Sequence, residues 1–402
     1  MTPKQKHARA RGGRSQKSGE TLTLSPSLGS RLAAGHRWVY RTHLPHGFQA
    51  LTGAWIHVRA GDFAGYALFD EESPVALRIF SSRRQPDAEW VAARVAEAWA
   101  LRRPLLATTE ACRLVYGEGD GLPGIVVDYY GGYCSLVTYS PSVEGIVEWV
   151  VQALMTLPPV KGVVRRAATR GEQLEVLAGA APPPDLVVSE GGWRLRVDLL
   201  EGQKTGLFLD HRANRSFVAG LCRDASVLNL FCYTGAFSLA ALAGGARHVA
   251  SVDAAAPSIR AARENFAENG HDPERFEFAV ADVFEYLERA RNEGRRFDVV
   301  ISDPPSFAKR RDQQRLALKA YRKLAVLGLR VTAPGGFYVA ASCTSQVSPA
   351  EFWQTVVEAA ERANRRVQLI HEAFHDVDHP VFVGHPEGRY LKCFVTRVLE
   401  PC

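Results

Sequence analysis

The stretch LNLFCYTGAFSLAAL, residues 228–242, decides the fold: an apolar strand runs into a tight turn at Gly235 and out again into a helix. That arrangement brings backbone close to a nucleotide-like ligand, and glycine supplies the conformational freedom such a turn demands. The turn lacks the G-x-G-x-x-G series, so alone it does not separate a binding turn from an ordinary strand-turn-helix unit. Its surroundings add weight. From Gly191 onward a hairpin at WRLRVDLL is followed by the apolar strands SVLNLF, HVASVD, FEFAV, DVVISD and FYVAAS. The helical segments SIRAARENFAENG and DVFEYLERARNEG lie between them, and VQLIH and LKCFVTRV close the chain as two further strands. Strands alternating with helices predict a mainly parallel sheet covered on both faces, an α/β fold.

Upstream the pattern differs. AWIHV, GYALF and VALRIF are short strands separated by Gly61, Asp62 and a DEESP turn, which reads as a small β-rich domain. A helix then begins at Asp87, followed by strands at RLVYG, GIVVDYY and YCSLVTY, a helix over residues 143–154 and a strand at GVVRRA. The proline run Pro182–Pro184 marks the approach to the last domain. At 402 residues the chain exceeds one ordinary core. The division is a basic arm over 1–22, a β-rich domain over 23–85, a central α+β domain over 86–190 and the α/β domain over 191–402.

The net charge of +6 is concentrated in Lys4, Lys6, Arg9, Arg11, Arg14 and Lys17, with no acid before Glu20. The remainder balances. Such an arm suits contact with phosphates or simple solubility. Residues 225–246 carry the longest charge-free stretch, but Asn229, Thr234 and three glycines interrupt it, so no membrane span is expected. Without a signal peptide, a cytoplasmic location follows. Seven cysteines at 112, 134, 222, 232, 343, 393 and 402 show no C-x-x-C spacing, so no metal site or disulfide framework is expected.

Acids stand at successive strand ends. Asp253 ends HVASVD, where a carboxylate can accept from both hydroxyls of a ribose, or else cap the next helix, a task open to Ser258 as well. Asp282 follows the third strand, facing an adenine amino group or capping its own helix. Asp303 ends the fourth strand in ISDPPSF, where two prolines stiffen the loop and remove two backbone donors. The order NLFCYTG, SVD, AD, DPPSF resembles the class I S-adenosylmethionine methyltransferases. GQKTGLFLDHRANR, DPPSFAK, ASCTS, DHP and GRYLKCF resemble more closely the bacterial large-subunit (23S) ribosomal RNA cytosine-5 methyltransferases. GHRWVYR (35–41) resembles that family's N-terminal PUA domain, and VYGEGDGLPGIVVD (115–128) its central domain. The resemblance implies a Rossmann-like methyltransferase sheet preceded by a PUA-like and a central α+β domain. It implies S-adenosylmethionine as cofactor, held by Lys204, Phe208, Asp210 and Arg212 of the segment before the first strand. Asn229, Phe231, Tyr233, Thr234, Gly235, Asp253, Asp282, Val283, Asp303 and Pro304 complete the implied binding set.

Cytosine C5 is a poor nucleophile until a group adds to C6, and a thiolate is the usual means. Cys343, in ASCTS at the end of the fifth parallel strand, holds that place. In the class I strand order the fourth and fifth strands are neighbours, so Asp303 and Cys343 face one cleft, as the catalytic pair. A flipped cytosine would stack on an aromatic such as Phe307, with Asp303 on its N3 and amino edge. Some RNA cytosine-5 methyltransferases carry a second cysteine after this segment; here Ser306 stands, which implies a single-cysteine cycle. Asp378 or His379 of DVDHPV is a candidate proton acceptor, unless the segment only fixes a turn. Lys309, Arg310 and Arg311 could lower the thiol's pKa or grip phosphates. The implied partner is large-subunit ribosomal RNA. Two readings compete: a guanine-N7 or other base methyltransferase on the same framework, and a non-catalytic RNA-binding protein. A homodimer stays open, since no heptad or long apolar edge marks one.

Overall fold

The computed structural model describes residues 21–165, 174–199 and 207–399. Most of the basic arm, Lys204 and Cys402 lie outside the described residues.

The first sheet orders its strands Thr21–Thr23, Trp55–Ala60, Phe63–Phe69, Val75–Ser81 and Trp38–Tyr40. The two three-residue edges were not foreseen, because such short runs show no alternation to read. The second sheet runs from Glu175–Gly179 through Gly162–Arg165, Tyr133–Thr138 and Ile125–Tyr130 to Ala111–Tyr116. Helices Ala88–Arg102 and Val147–Met155 share its core. Asp87 caps the first of them by accepting from the Trp90 amide. The hairpin expected within WRLRVDLL pairs Val187–Glu190 with Trp193–Arg196 instead. Gly191 and Gly192, at φ +58° and +96°, form its two-residue turn, so the first strand precedes the glycines.

The third sheet has seven strands, numbered here along the chain: β1 (Ser226–Leu230), β2 (His248–Asp253), β3 (Glu277–Val280), β4 (Phe297–Ser302), β5 (Thr332–Ser342), β6 (Val367–Ala373) and β7 (Lys392–Val398). Their spatial order is β3-β2-β1-β4-β5-β7-β6, with β7 antiparallel to both neighbours. Among the described residues six helices pack on it: Arg212–Ala219, whose Phe217 stacks on His371 of β6, and α1 (Ala236–Ala243), α2 (Ala256–Glu268), α3 (Val283–Asn292), α4 (Gln314–Val331) and α5 (Pro349–Ala363). Side chains alternate across each strand, so Leu228, Val252 and Val300 face α3, α4 and α5, while Val227, Val249 and Val299 face α1 and α2. Two cores result from one sheet.

Buried ion pairs join the layers. Arg215 donates from Nε and Nη2 to Glu190 at 2.6 Å each, both side chains being 1 % exposed. Arg102 grips Asp120 with two bonds of 2.6 and 2.7 Å and donates to the Asp378 carbonyl at 2.8 Å. Asp378 is fully buried. Its Oδ2 accepts from the Arg113 amide at 2.9 Å and faces Arg212 Nη2 at 3.1 Å, and its Oδ1 meets His379 Nδ1 at 2.8 Å. Burial alone would raise this carboxyl, but those partners outweigh burial and hold it at about 2. A carboxylate with a depressed pKa stabilises the fold above its ordinary value and loses that contribution as the pH falls through the folded value. Asp378→Asn is therefore expected to cost about 2 kcal/mol at neutral pH. The gap to the parent should narrow between pH 4 and 2 in denaturant titrations; a gap independent of pH would contradict this role.

Candidate active site

The turn after β1 is unusual in its backbone. Phe231 and Tyr233 adopt φ of +58° and +49°, and Gly235 +81°. Left-handed geometry at a residue with a Cβ costs about 1–2 kcal/mol, so this turn must be held from outside. Asp253, at the end of β2, does so: its Oδ2 accepts from the Tyr233 amide at 3.0 Å and its Oδ1 from the Ala255 amide at 2.9 Å. The Cys232 amide donates to the Val252 carbonyl at 3.0 Å, and Asn265 of α2 donates to the Thr234 carbonyl at 2.8 Å. Ala255, not Asp253, occupies the cap position of α2, and Ser258 lies inside that helix because Pro257 starts it. The helix-cap readings of both residues are thereby corrected. Asp282 does cap α3, its Oδ1 accepting from the Phe284 and Glu285 amides, and Val283 is buried behind it. Asn229 is buried within β1 and donates to Ser238 of α1 at 2.9 Å, so it supports the turn from beneath.

The segment before β1 covers this turn. Phe208 meets Tyr233 edge to face with centroids 5.2 Å apart. Asp210 is buried and accepts from the Tyr390 hydroxyl at 2.6 Å. Arg212 departs from the implied set: it donates to the Ala111 carbonyl at 3.0 Å and pairs with Asp376 and Asp378 at 2.9 and 3.1 Å, so its donors clamp two other segments. His211 was passed over in the sequence, although it stands in GLFLDHR. Its buried Nε2 lies 3.4 Å from Asp303 Oδ1. Burial would lower this imidazole, and the Asp303 carboxylate overrides burial to hold it above its ordinary value. The periodicity gives no sign of this, since His211 precedes a helix in a polar run.

Asp303 follows β4 and Cys343 follows β5, and the two strands are parallel neighbours with Ser302 beside Ala340. Their loops touch: Ser306 Oγ lies 3.1 Å from Thr344 Oγ1 and donates to the Ala308 carbonyl at 2.9 Å. Pro304 is buried and Phe307 packs against Tyr321 at 4.8 Å. Cys343 is half-buried, whereas Cys112, Cys134, Cys222, Cys232 and Cys393 are buried. Burial pushes those five thiols up. The Lys309–Arg311 run is exposed and includes an Arg310–Asp312 pair, whereas Lys392, 1 % exposed and opposite Ser342 on β7, donates to the Thr344 carbonyl of the Cys343 turn at 2.6 Å. Asp378, expected as a candidate base, is spent on fixing its turn. His379 keeps a buried Nε2 with no hydrogen-bond partner among the described residues.

A cavity of about 1100 Å³ opens between the first two sheets and the segments 207–210 and 379–390. Trp38, Tyr116, Phe208 and Phe382 line it, with Arg78, Arg113 and His379 among its polar groups. At its edge His36, His385 and Glu387 bring ligand-type atoms within 4.8 Å of one another, but Arg31 places a guanidinium 3.2 Å from His36 Nε2, where a metal ion would be repelled.

Residues 164–381 match the S-adenosylmethionine-dependent methyltransferase family, and residues 22–82 match the PUA-like domain. Similar proteins include the ribosomal RNA large subunit methyltransferase I of Shewanella denitrificans, 33 % identical over 94 % of this chain and 99 % of that one. Another is a ribosomal RNA large subunit methyltransferase of Deinococcus radiodurans, 35 % identical over 92 % of this chain and 95 % of that one. The chain belongs to the ribosomal RNA large subunit methyltransferase I family. Among solved structures, the methyltransferase SMU.776 complexed with S-adenosylhomocysteine superposes with a TM-score of 0.84 at 25 % identity, over 94 % of this chain and 100 % of that one.

The family's cofactor is S-adenosylmethionine, and the residues present fit it. A strained turn whose approach a side chain would close, aromatic rings at Phe208 and Tyr233, and acids at three successive strand ends suit a nucleoside carrying a charged amino acid. At Gly235 an added Cβ would sit 3.1 Å from Ala262 Cβ in a backbone disfavoured for L residues. Gly235→Ala is expected to lower stability by about 1–2 kcal/mol and weaken S-adenosylmethionine binding at least tenfold by calorimetry; unaltered affinity would show that the turn does not hold the cofactor. Among the described residues no helix is long and apolar enough to cross a membrane.

Proposed function

We propose that this chain methylates C5 of a cytosine in large-subunit ribosomal RNA, with Cys343 as nucleophile. The observation that carries the reading is that Asp303 and Cys343 follow neighbouring parallel strands whose loops touch, and that Cys343 alone among the described cysteines is not buried. The names of the relatives and the PUA-like domain support an RNA substrate, as does a cavity lined by rings and arginines between the domains.

In this reading the Cys343 thiolate adds to C6 of a flipped cytosine, and the C5–C6 π pair moves toward C5 while N3 takes a proton from the His211–Asp303 pair, which takes it back when the product forms. Asp303, kept in place by His211, receives the cytosine amino group. S-adenosylmethionine supplies an electrophilic methyl group to C5. Loss of the C5 proton to a base then re-forms the double bond and expels the thiolate. His379, whose Nδ1 is fixed by Asp378, is a candidate for that base; Asp378 itself is not. The binding set proposed for the cofactor is Phe208, Asp210, Phe231, Tyr233, Thr234, Gly235, Asp253, Asp282 and Pro304, with Lys204 added from outside the described residues.

A guanine-N7 methyltransferase would need no thiol at position 343, and a silent RNA-binding protein would need no cofactor. RNA carrying 5-fluorocytosine cannot release the C5 substituent, so it should trap the parent protein as an adduct that survives denaturing electrophoresis. Cys343→Ala should form none and lose methyl transfer by at least 1000-fold, on the order of covalent catalysis lost. Full methylation by that variant would overturn the mechanism.

A further inference from the structure

β7 runs through the sheet between β5 and β6, where a strand paired on both sides is normally apolar. Lys392 opens it, 1 % exposed, and its ammonium donates to three carbonyls: Thr344 at 2.6 Å, Tyr390 at 2.8 Å and Val347 at 2.9 Å. Three acceptors require three hydrogens, so the amine is protonated in this geometry. Burial pulls Lys392 down to about 8, against the opposing fields of Cys343 and Glu351, which leaves it charged at neutral pH. Among the described residues no carboxylate forms an ion pair with it, and Glu351 is itself bonded to Ser348 and Gln314.

A buried cation without a counter-ion is costly, and a neutral donor would serve if joining carbonyls were its whole task. The turn it holds, Thr344 to Val347, begins at the residue after Cys343. We infer that Lys392 is a positioning residue for the thiol: its three bonds fix the turn that presents Cys343, and its charge favours the thiolate by standing in as counter-ion. This rests on the proposed nucleophilic part of Cys343. The structure thereby assigns to Lys392 a task that the Lys309–Arg311 run could also have performed. Other titratable groups around the turn are Tyr321 from α4, Glu351 from α5, Asp303 after β4, and His375, which accepts from the Leu391 amide at 3.1 Å.

The test is the rate of Cys343 alkylation by iodoacetamide from pH 6 to 9.5, read by peptide mass spectrometry on the full chain. The parent's curve should have its midpoint below that of a free cysteine peptide. Lys392→Gln, which keeps two donors and loses the charge, should move the midpoint up by about one pH unit. Its kcat at pH 7 should fall about tenfold and recover as the pH rises, with KM for S-adenosylmethionine unchanged. Lys392→Arg should stay near the parent curve. A folded Lys392→Gln with an unmoved curve would overturn the inference, and so would a parent midpoint at or above that of the free peptide, which needs no variant to fold. If Cys343→Ala still methylates RNA, the nucleophile reading fails, while the alkylation curves still judge Lys392.

Discussion

The buried carboxylate of Asp378 ties together three separate parts of the chain. It takes the Arg113 amide from the central sheet, Arg212 from the segment covering the cofactor turn, and His379 from its own loop. The loop it anchors, after β6, continues through Tyr390, which bonds Asp210, to Lys392, which holds the Cys343 turn. The segment before β1 and the Cys343 turn are thus linked by polar contacts that run through the loop Asp378 anchors. A buried charge with several well-aligned partners is rigid, because loosening any one leaves the rest uncompensated. Rigid support suits a site in which a thiol, a methyl donor and a base must align closely.

The same constraint explains why the domains upstream are more than appendages. Arg102 and Arg113 belong to the central domain, yet both bond Asp378, and the cavity draws its walls from the first two sheets and from the segments 207–210 and 379–390. RNA entering that space would touch the β-rich domain, the central domain and the cofactor cover together.

Much of this was legible in the chain. Strand and helix alternation gave the parallel sheet, and the motifs at strand ends gave Gly235, Asp253, Asp303 and Cys343 their places. What could be read is what local pattern and motif encode. Positive φ at Phe231 and Tyr233 was not legible, because nothing in their side chains signals it; Asp253 and Asn265 from other elements impose it. The acids that Arg212 meets were not legible, because a motif gives position without saying which of several acids the guanidinium will face. His211 and Lys392 were missed for the same reason. For Lys392 a clue existed: a lysine between Leu391 and Cys393 in an apolar strand has no solvent face to occupy.

The central claim is that Cys343 adds to C6 of a ribosomal RNA cytosine so that C5 can take the methyl group of S-adenosylmethionine. The most direct measurement is mapping of 5-methylcytosine in large-subunit ribosomal RNA from cells with the gene, without it, and complemented with Cys343→Ala. The account predicts that one 5-methylcytosine disappears with the gene and that the parent restores it while Cys343→Ala does not. Restoration by Cys343→Ala, or loss of a different modified base, would contradict it.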